Sequence, residues 1–84
     1  MKCTLEEFKQ MTATFTKALE EQTWDDYAID GGWKCLTLHY LNFQGSPSDE
    51  ALVLSYYQYA MRKYIPYNVE RDLFEPSENR KTLS

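Results

Sequence analysis

The sequence predicts a small α+β domain: a helix, a β-hairpin, a second helix and a short C-terminal helical turn. Three observations predict it. A capping box opens an amphipathic stretch near the N-terminus, an Asp-Gly-Gly triplet separates two aromatic-rich runs, and Ser-Pro-Ser-Asp precedes a long apolar segment closed by Pro66. With 84 residues there is room for one domain. Its expected extent is residues 1–75, followed by a mobile tail over 76–84.

Thr4-Leu5-Glu6-Glu7 has the capping-box form, in which Thr4 and Glu7 each satisfy an amide that the first helical turn leaves free. Leu5, Phe8, Met11, Phe15, Ala18 and Leu19 then recur at steps of three and four, and the charged residues fall on the other side. A helix from about residue 5 to about 21 follows, with its apolar stripe as core.

The hairpin is read from Trp24–Ile29, the turn Asp30-Gly31-Gly32, and a strand over Trp33–Phe43. Strand alternation puts Trp33, Cys35, Thr37, His39, Leu41 and Phe43 on one face. Ser46 then suits an N-cap and Pro47 the first helical position, while Asp49 meets the positive end of the dipole. This helix is expected to stop near Tyr64, because Pro66 lacks the amide to continue it. Its main stripe is Val53, Tyr57, Ala60, Met61 and Tyr64. A second stripe, Leu52, Tyr56 and Tyr59, is expected to be covered by a short turn capped by Asn68, through Leu73 and Phe74.

Composition narrows the chemistry. The net charge of −4, from 13 acidic against 9 basic residues, argues against direct nucleic-acid binding, which needs a basic footprint. No apolar stretch approaches the roughly 18 residues of a membrane span, and the N-terminus lacks a signal-peptide run. A cytoplasmic protein with reduced thiols is the expectation. No catalytic residue, cofactor or metal is assigned. There is no phosphate-binding glycine loop, and three Cys and His residues are too few for a structural zinc. On the expected strand, Cys35 and His39 would stand roughly 13 Å apart, beyond proton-transfer reach. Asp26–Thr37 imitates a calcium loop but lacks its third and twelfth ligands.

Two surfaces remain as candidates. Glu20, Glu21, Asp25, Asp26 and Asp30 lie between Lys17 and Lys34 with no base among them, and Trp24 and Tyr27 sit inside the run. Carboxylates gathered at one corner can imitate nucleic-acid phosphates and attract the Lys and Arg of a protein that binds them. Aromatic rings rimmed by charge are the usual anchors of such contacts. The alternative surface is the helix face of Leu52, Tyr56 and Tyr59.

The chain carries no family motif. In general character (short, acidic, aromatic, self-capped, without catalytic groups) it is similar to small inhibitors encoded by phages and mobile elements, anti-CRISPR proteins among them. That similarity implies a stoichiometric inhibitor of a nucleic-acid-processing host complex, acting in the host-cell cytoplasm as a monomer or homodimer. The competing expectation is a non-catalytic adaptor or small structural subunit that docks through its tyrosine-rich helix.

Overall fold

In a computed structural model that describes residues 3–74, the chain forms helices α1 (Leu5–Glu21), α2 (Asp26–Asn42) and α3 (Pro47–Phe74). No strand occurs among the described residues. The protein is an all-α three-helix bundle, and the α+β expectation is overturned. The expected tail, 76–84, lies outside the described residues.

α1 starts as its sequence dictates: Glu7 donates its amide to Thr4 Oγ1 at 3.0 Å, and Glu7 Oε1 accepts from the Thr4 amide at 2.8 Å. Phe8, Phe15 and Ala18 are buried, while Leu5, Met11 and Leu19 pack against them. Thr12 and Thr16, also buried, donate their hydroxyls to the carbonyls of Phe8 and Thr12, so no polar atom is left unsatisfied. The helix ends at Gln22, which takes the left-handed conformation at φ 56° and donates its amide to the Ala18 carbonyl.

α2 replaces the expected hairpin. Asp25 caps it by accepting the Ala28 amide at 2.8 Å. Its core stripe is Ile29, Trp33, Leu36, Tyr40 and Phe43, a strict four-three alternation. Strand alternation would have divided those residues between two faces. Neither Gly31 nor Gly32 has positive φ, so the pair makes no turn. Gly32 instead sits where α1 comes close: a Cβ there would lie 3.1 Å from the Phe15 ring and 3.1 Å from the Trp24 ring. Gly31 faces open space.

The two glycines should therefore respond with opposite sign. Gly31→Ala is expected to stabilise the protein by about 0.5–1 kcal/mol through helix propensity. Gly32→Ala gains the same propensity but crowds the buried Phe15 ring, for a net loss of about 1 kcal/mol. Urea midpoints measure both. Loss of stability in both variants would support a turn at this position.

α3 begins as expected, with Ser46 Oγ accepting the Asp49 amide at 3.2 Å. It does not stop at Pro66 but continues to Phe74. Proline deprives the Arg62 carbonyl of its helical partner, yet Arg62 and Pro66 are both exposed. Water can satisfy that carbonyl, so the interruption falls where it costs least.

The cleft lined by Cys3, Leu5, Phe43 and Asp49 gathers the start of α1, the end of α2 and the start of α3 at one end of the bundle. Glu20, Asp26, Lys63 and Arg71 meet at the other. α2 thus runs antiparallel to α1 and α3. The core is completed by Val53, Tyr57 and Ala60, and the seam between α2 and α3 is filled by a column of rings. Tyr40 stacks on Tyr57 at 4.3 Å between centroids, Tyr57 on Trp33 at 4.9 Å, and Trp33 on Tyr64 at 4.8 Å.

Candidate functional site

The corner around the α1–α2 connection is built from three elements. The last turn of α1 carries Glu20 and Glu21, the connection carries Trp24 and Asp25, and the first turns of α2 carry Asp26, Tyr27 and Asp30. Against them stands the C-terminal part of α3, which exists as an ordered wall only because the helix passes Pro66. Between them opens a cleft of about 620 Å³, lined among others by Glu20, Trp24, Asp26, Lys63, Tyr67 and Arg71.

Most of the carboxylates here have internal partners. Glu20 pairs with Lys63 at 3.1 Å. Asp26 accepts the Tyr67 hydroxyl and lies 4.0 Å from the Arg71 guanidinium. Asp30 accepts the Tyr64 hydroxyl at 2.9 Å and receives the Arg71 fork, with Nη1 at 3.3 Å from Oδ2 and Nη2 at 3.2 Å from Oδ1. Arg71 also lies over the Tyr67 ring, 5.3 Å from its centroid. Five carboxylates thus face two cations, and the corner keeps a negative excess while its geometry is held from within.

That arrangement changes what charge reversal does. From sequence alone, reversing Asp25 and Asp26 looks structurally neutral. In the fold, Asp25 caps α2, worth about 1 kcal/mol, and Asp26 anchors Tyr67. Glu21 and Tyr27 are the cleaner probes. Both are exposed, Tyr27 to 89%, and Trp24 is 37% exposed.

The phenols in this network are held protonated. Burial, then the hydrogen bond to Asp26, pushes Tyr67 up to about 12, against the pull of Arg71. Burial and Asp30 raise Tyr64 in the same way. Because the folded pKa lies above the unfolded value, the stability contributed is fully present below pH 10 and is lost as pH rises through about 12. Tyr67→Phe removes that dependence. Urea midpoints measured between pH 9 and 12 (the window set by this shift) should fall more steeply for the parent than for the variant. Equal slopes would show that burial and Asp26 do not raise Tyr67 in the folded protein.

The second candidate face is open. Leu52 is 44% and Tyr59 47% exposed, while Tyr56 is half-buried against the core. The separate turn expected to cover it does not form, because α3 continues as one helix to Phe74. Leu73 lies on the same helix, about 20 Å beyond Tyr59 at the helical rise. Lys63, 5.6 Å from the Tyr59 ring centroid, bridges this face to the acidic corner.

α2 also brings together what a strand would separate: Cys35 Sγ and His39 Nδ1 are 3.6 Å apart. Sequence reasoning missed Lys63, Tyr64, Tyr67 and Arg71 as members of the corner. The spacing of three and four from Tyr64 through Tyr67 to Arg71, with Lys63 beside Tyr64, was visible, but it straddles Pro66, which reads as a stop. Among the described residues no helix is long and apolar enough to cross a membrane. Comparison with family models, curated proteins and solved structures finds no match to the chain.

Proposed function

We propose that this protein is a non-catalytic binding module whose acidic, aromatic corner engages a basic protein, as a stoichiometric inhibitor of a nucleic-acid-processing complex. The observation that carries the reading is the exposure of Tyr27 and Trp24 beside five carboxylates that outnumber the cations facing them. Rings of this kind supply contact area at low entropic cost, and the charge excess around them selects a basic surface. The network of Asp26, Asp30, Tyr64, Tyr67 and Arg71 preorganises the corner, so little ordering is needed on binding. A second reading, an adaptor docking through α3, is favoured by the exposure of Leu52 and Tyr59.

The test is affinity capture from bacterial lysate with the parent, Glu21→Lys/Tyr27→Ala, and Leu52→Asp/Tyr59→Ala, followed by affinity measurement on the captured protein. The corner variant should bind at least about tenfold more weakly while the α3 variant binds like the parent. Parent binding should also weaken steeply with added salt. Loss confined to the α3 variant, with little salt dependence, would establish the adaptor reading instead.

A further inference from the structure

Apolar side chains also collect on the outer face of the α2–α3 pair, where they serve neither the core nor the acidic corner. The hydrogen bonds Thr37–Tyr57 and Tyr64–Asp30 mark the line along which these helices touch. Leu38 and Leu41 flank that line on α2, 51% and 70% exposed, and Leu54 and Ile65 are exposed on α3. Leu41 and Leu54 line one shallow cleft with Phe43 and Ala51. Leu54, Gln58, Met61 and Ile65 recur at steps of four and three, so they share one stripe of α3. Leu52 and Tyr59 lie on the other flank of the buried Val53–Ala60 stripe, by the same spacing.

Two charges border this face. Among the described residues neither Lys34 nor Glu50 forms an ion pair, and both are exposed. Lys34 lies between Asp30 and Thr37, level with the part of α3 between Tyr64 and Tyr57. Glu50 lies in the first turn of α3 and lines the cleft with Leu41 and Leu54. The face is therefore positive toward one end and negative at the other, with leucines between.

We propose that this face is the interface of an antiparallel homodimer, in which a second copy of the chain lays its own α2–α3 face across the first, about a two-fold axis beside Leu54. Such an interface is isologous: it covers leucine with leucine and brings Glu50 of each copy to Lys34 of the other. A parallel copy would set Lys34 against Lys34 and one acidic corner beside the next. The antiparallel copy holds the two Asp30 carboxylates about 25 Å apart at the helical rise, beyond the screening length of about 8 Å. The stripe from Pro47 to Ile65 is about 27 Å long, and two packed helices make a face about 20 Å wide. That is roughly 500 Å² per copy and about 1,000 Å² for the pair, the lower limit for a specific interface, so association is micromolar.

The experiment is sedimentation velocity on the full chain over roughly 1–500 µM, where the mass should pass from one chain to two with a Kd of roughly 10–100 µM. Leu41→Asp/Leu54→Asp should weaken the dimer at least about tenfold with far-ultraviolet circular dichroism unchanged. Leu52→Asp/Tyr59→Ala should dimerise like the parent. Lys34→Glu should raise Kd about threefold or more, and adding Glu50→Lys should restore it. Both charges are exposed, so this swap decides even where the leucine pair perturbs folding. A parent that sediments as one chain throughout, a dimer lost only in Leu52→Asp/Tyr59→Ala, or a charge swap that restores nothing would overturn the proposal.

Discussion

Phe15→Ala is expected to cost about 3–5 kcal/mol, which lowers Tm by about 15–30 °C in a chain of this size. Phe15 is 1% exposed and sits where all three helices meet. Its ring lies 6.0 Å from that of Trp33 on α2 and 5.9 Å from that of Tyr64 on α3, and it covers the surface of Gly32. Truncation removes the ring's own burial and leaves a void that three rigid helices close only in part. The net stability of a domain of 84 residues is about 4–13 kcal/mol, so the variant would sit near the unfolding threshold. Chemical denaturation of parent and variant measures the difference. A cost below about 1 kcal/mol would place Phe15 outside the core.

Trp33→Ala should have a comparable effect, about 3–5 kcal/mol, by a different route. The indole is stacked between Tyr57 and Tyr64 at centroid distances of 4.9 and 4.8 Å. Its removal interrupts the ring column in the middle, so α2 loses its main hold on α3. The hydrogen bonds aligned by that seam, Thr37–Tyr57 at 2.9 Å and Tyr64–Asp30 at 2.9 Å, lose their register as well. Near-ultraviolet circular dichroism should collapse while far-ultraviolet helicity falls less. Trp33→Phe, which keeps a ring in the stack, should recover more than half of the loss. If Trp33→Ala unfolds at the parent's urea midpoint, the column is decoration on a core held elsewhere.

The two variants also test coupling. Phe15 and Trp33 touch, so their double mutant should cost less than the two single costs together, by about 0.5–3 kcal/mol. A strand bearing Trp33 on the same face as Cys35 and Thr37 offers no reason for that pattern. Helical α2 does, because Trp33 shares its face with Leu36 and Tyr40.

Local signals were legible without the fold. The Thr4–Glu7 box, the three-and-four spacing of α1 and the Ser46-Pro47 start of α3 concern residues within one or two turns, and all appear where expected. The buried stripe Val53, Tyr57, Ala60 was visible for the same reason. In α2 two local signals conflicted. Trp33 to Phe43 is rich in β-formers and follows two glycines, while Ile29, Trp33, Leu36, Tyr40 and Phe43 keep helical spacing. Asp25 supplied a cap that the hairpin reading ignored.

The sequence by itself determined a short, acidic, aromatic chain with two well-marked helix starts and an acidic run around Trp24 and Tyr27. Only the tertiary structure decided the rest. Packing against Phe15 turns Gly32 from a turn signal into a site of close helix approach. Stacking of the half-buried Trp33 between two tyrosines outweighs the weak strand preference of its neighbours, since propensities amount to a fraction of a kcal/mol per residue and a packed ring to several. Arg71 bridges Asp26 and Asp30 from 41 residues away in the case of Asp30, a partnership that no local pattern encodes. It arises because Pro66 faces water, so α3 reaches the corner whose charges it steadies.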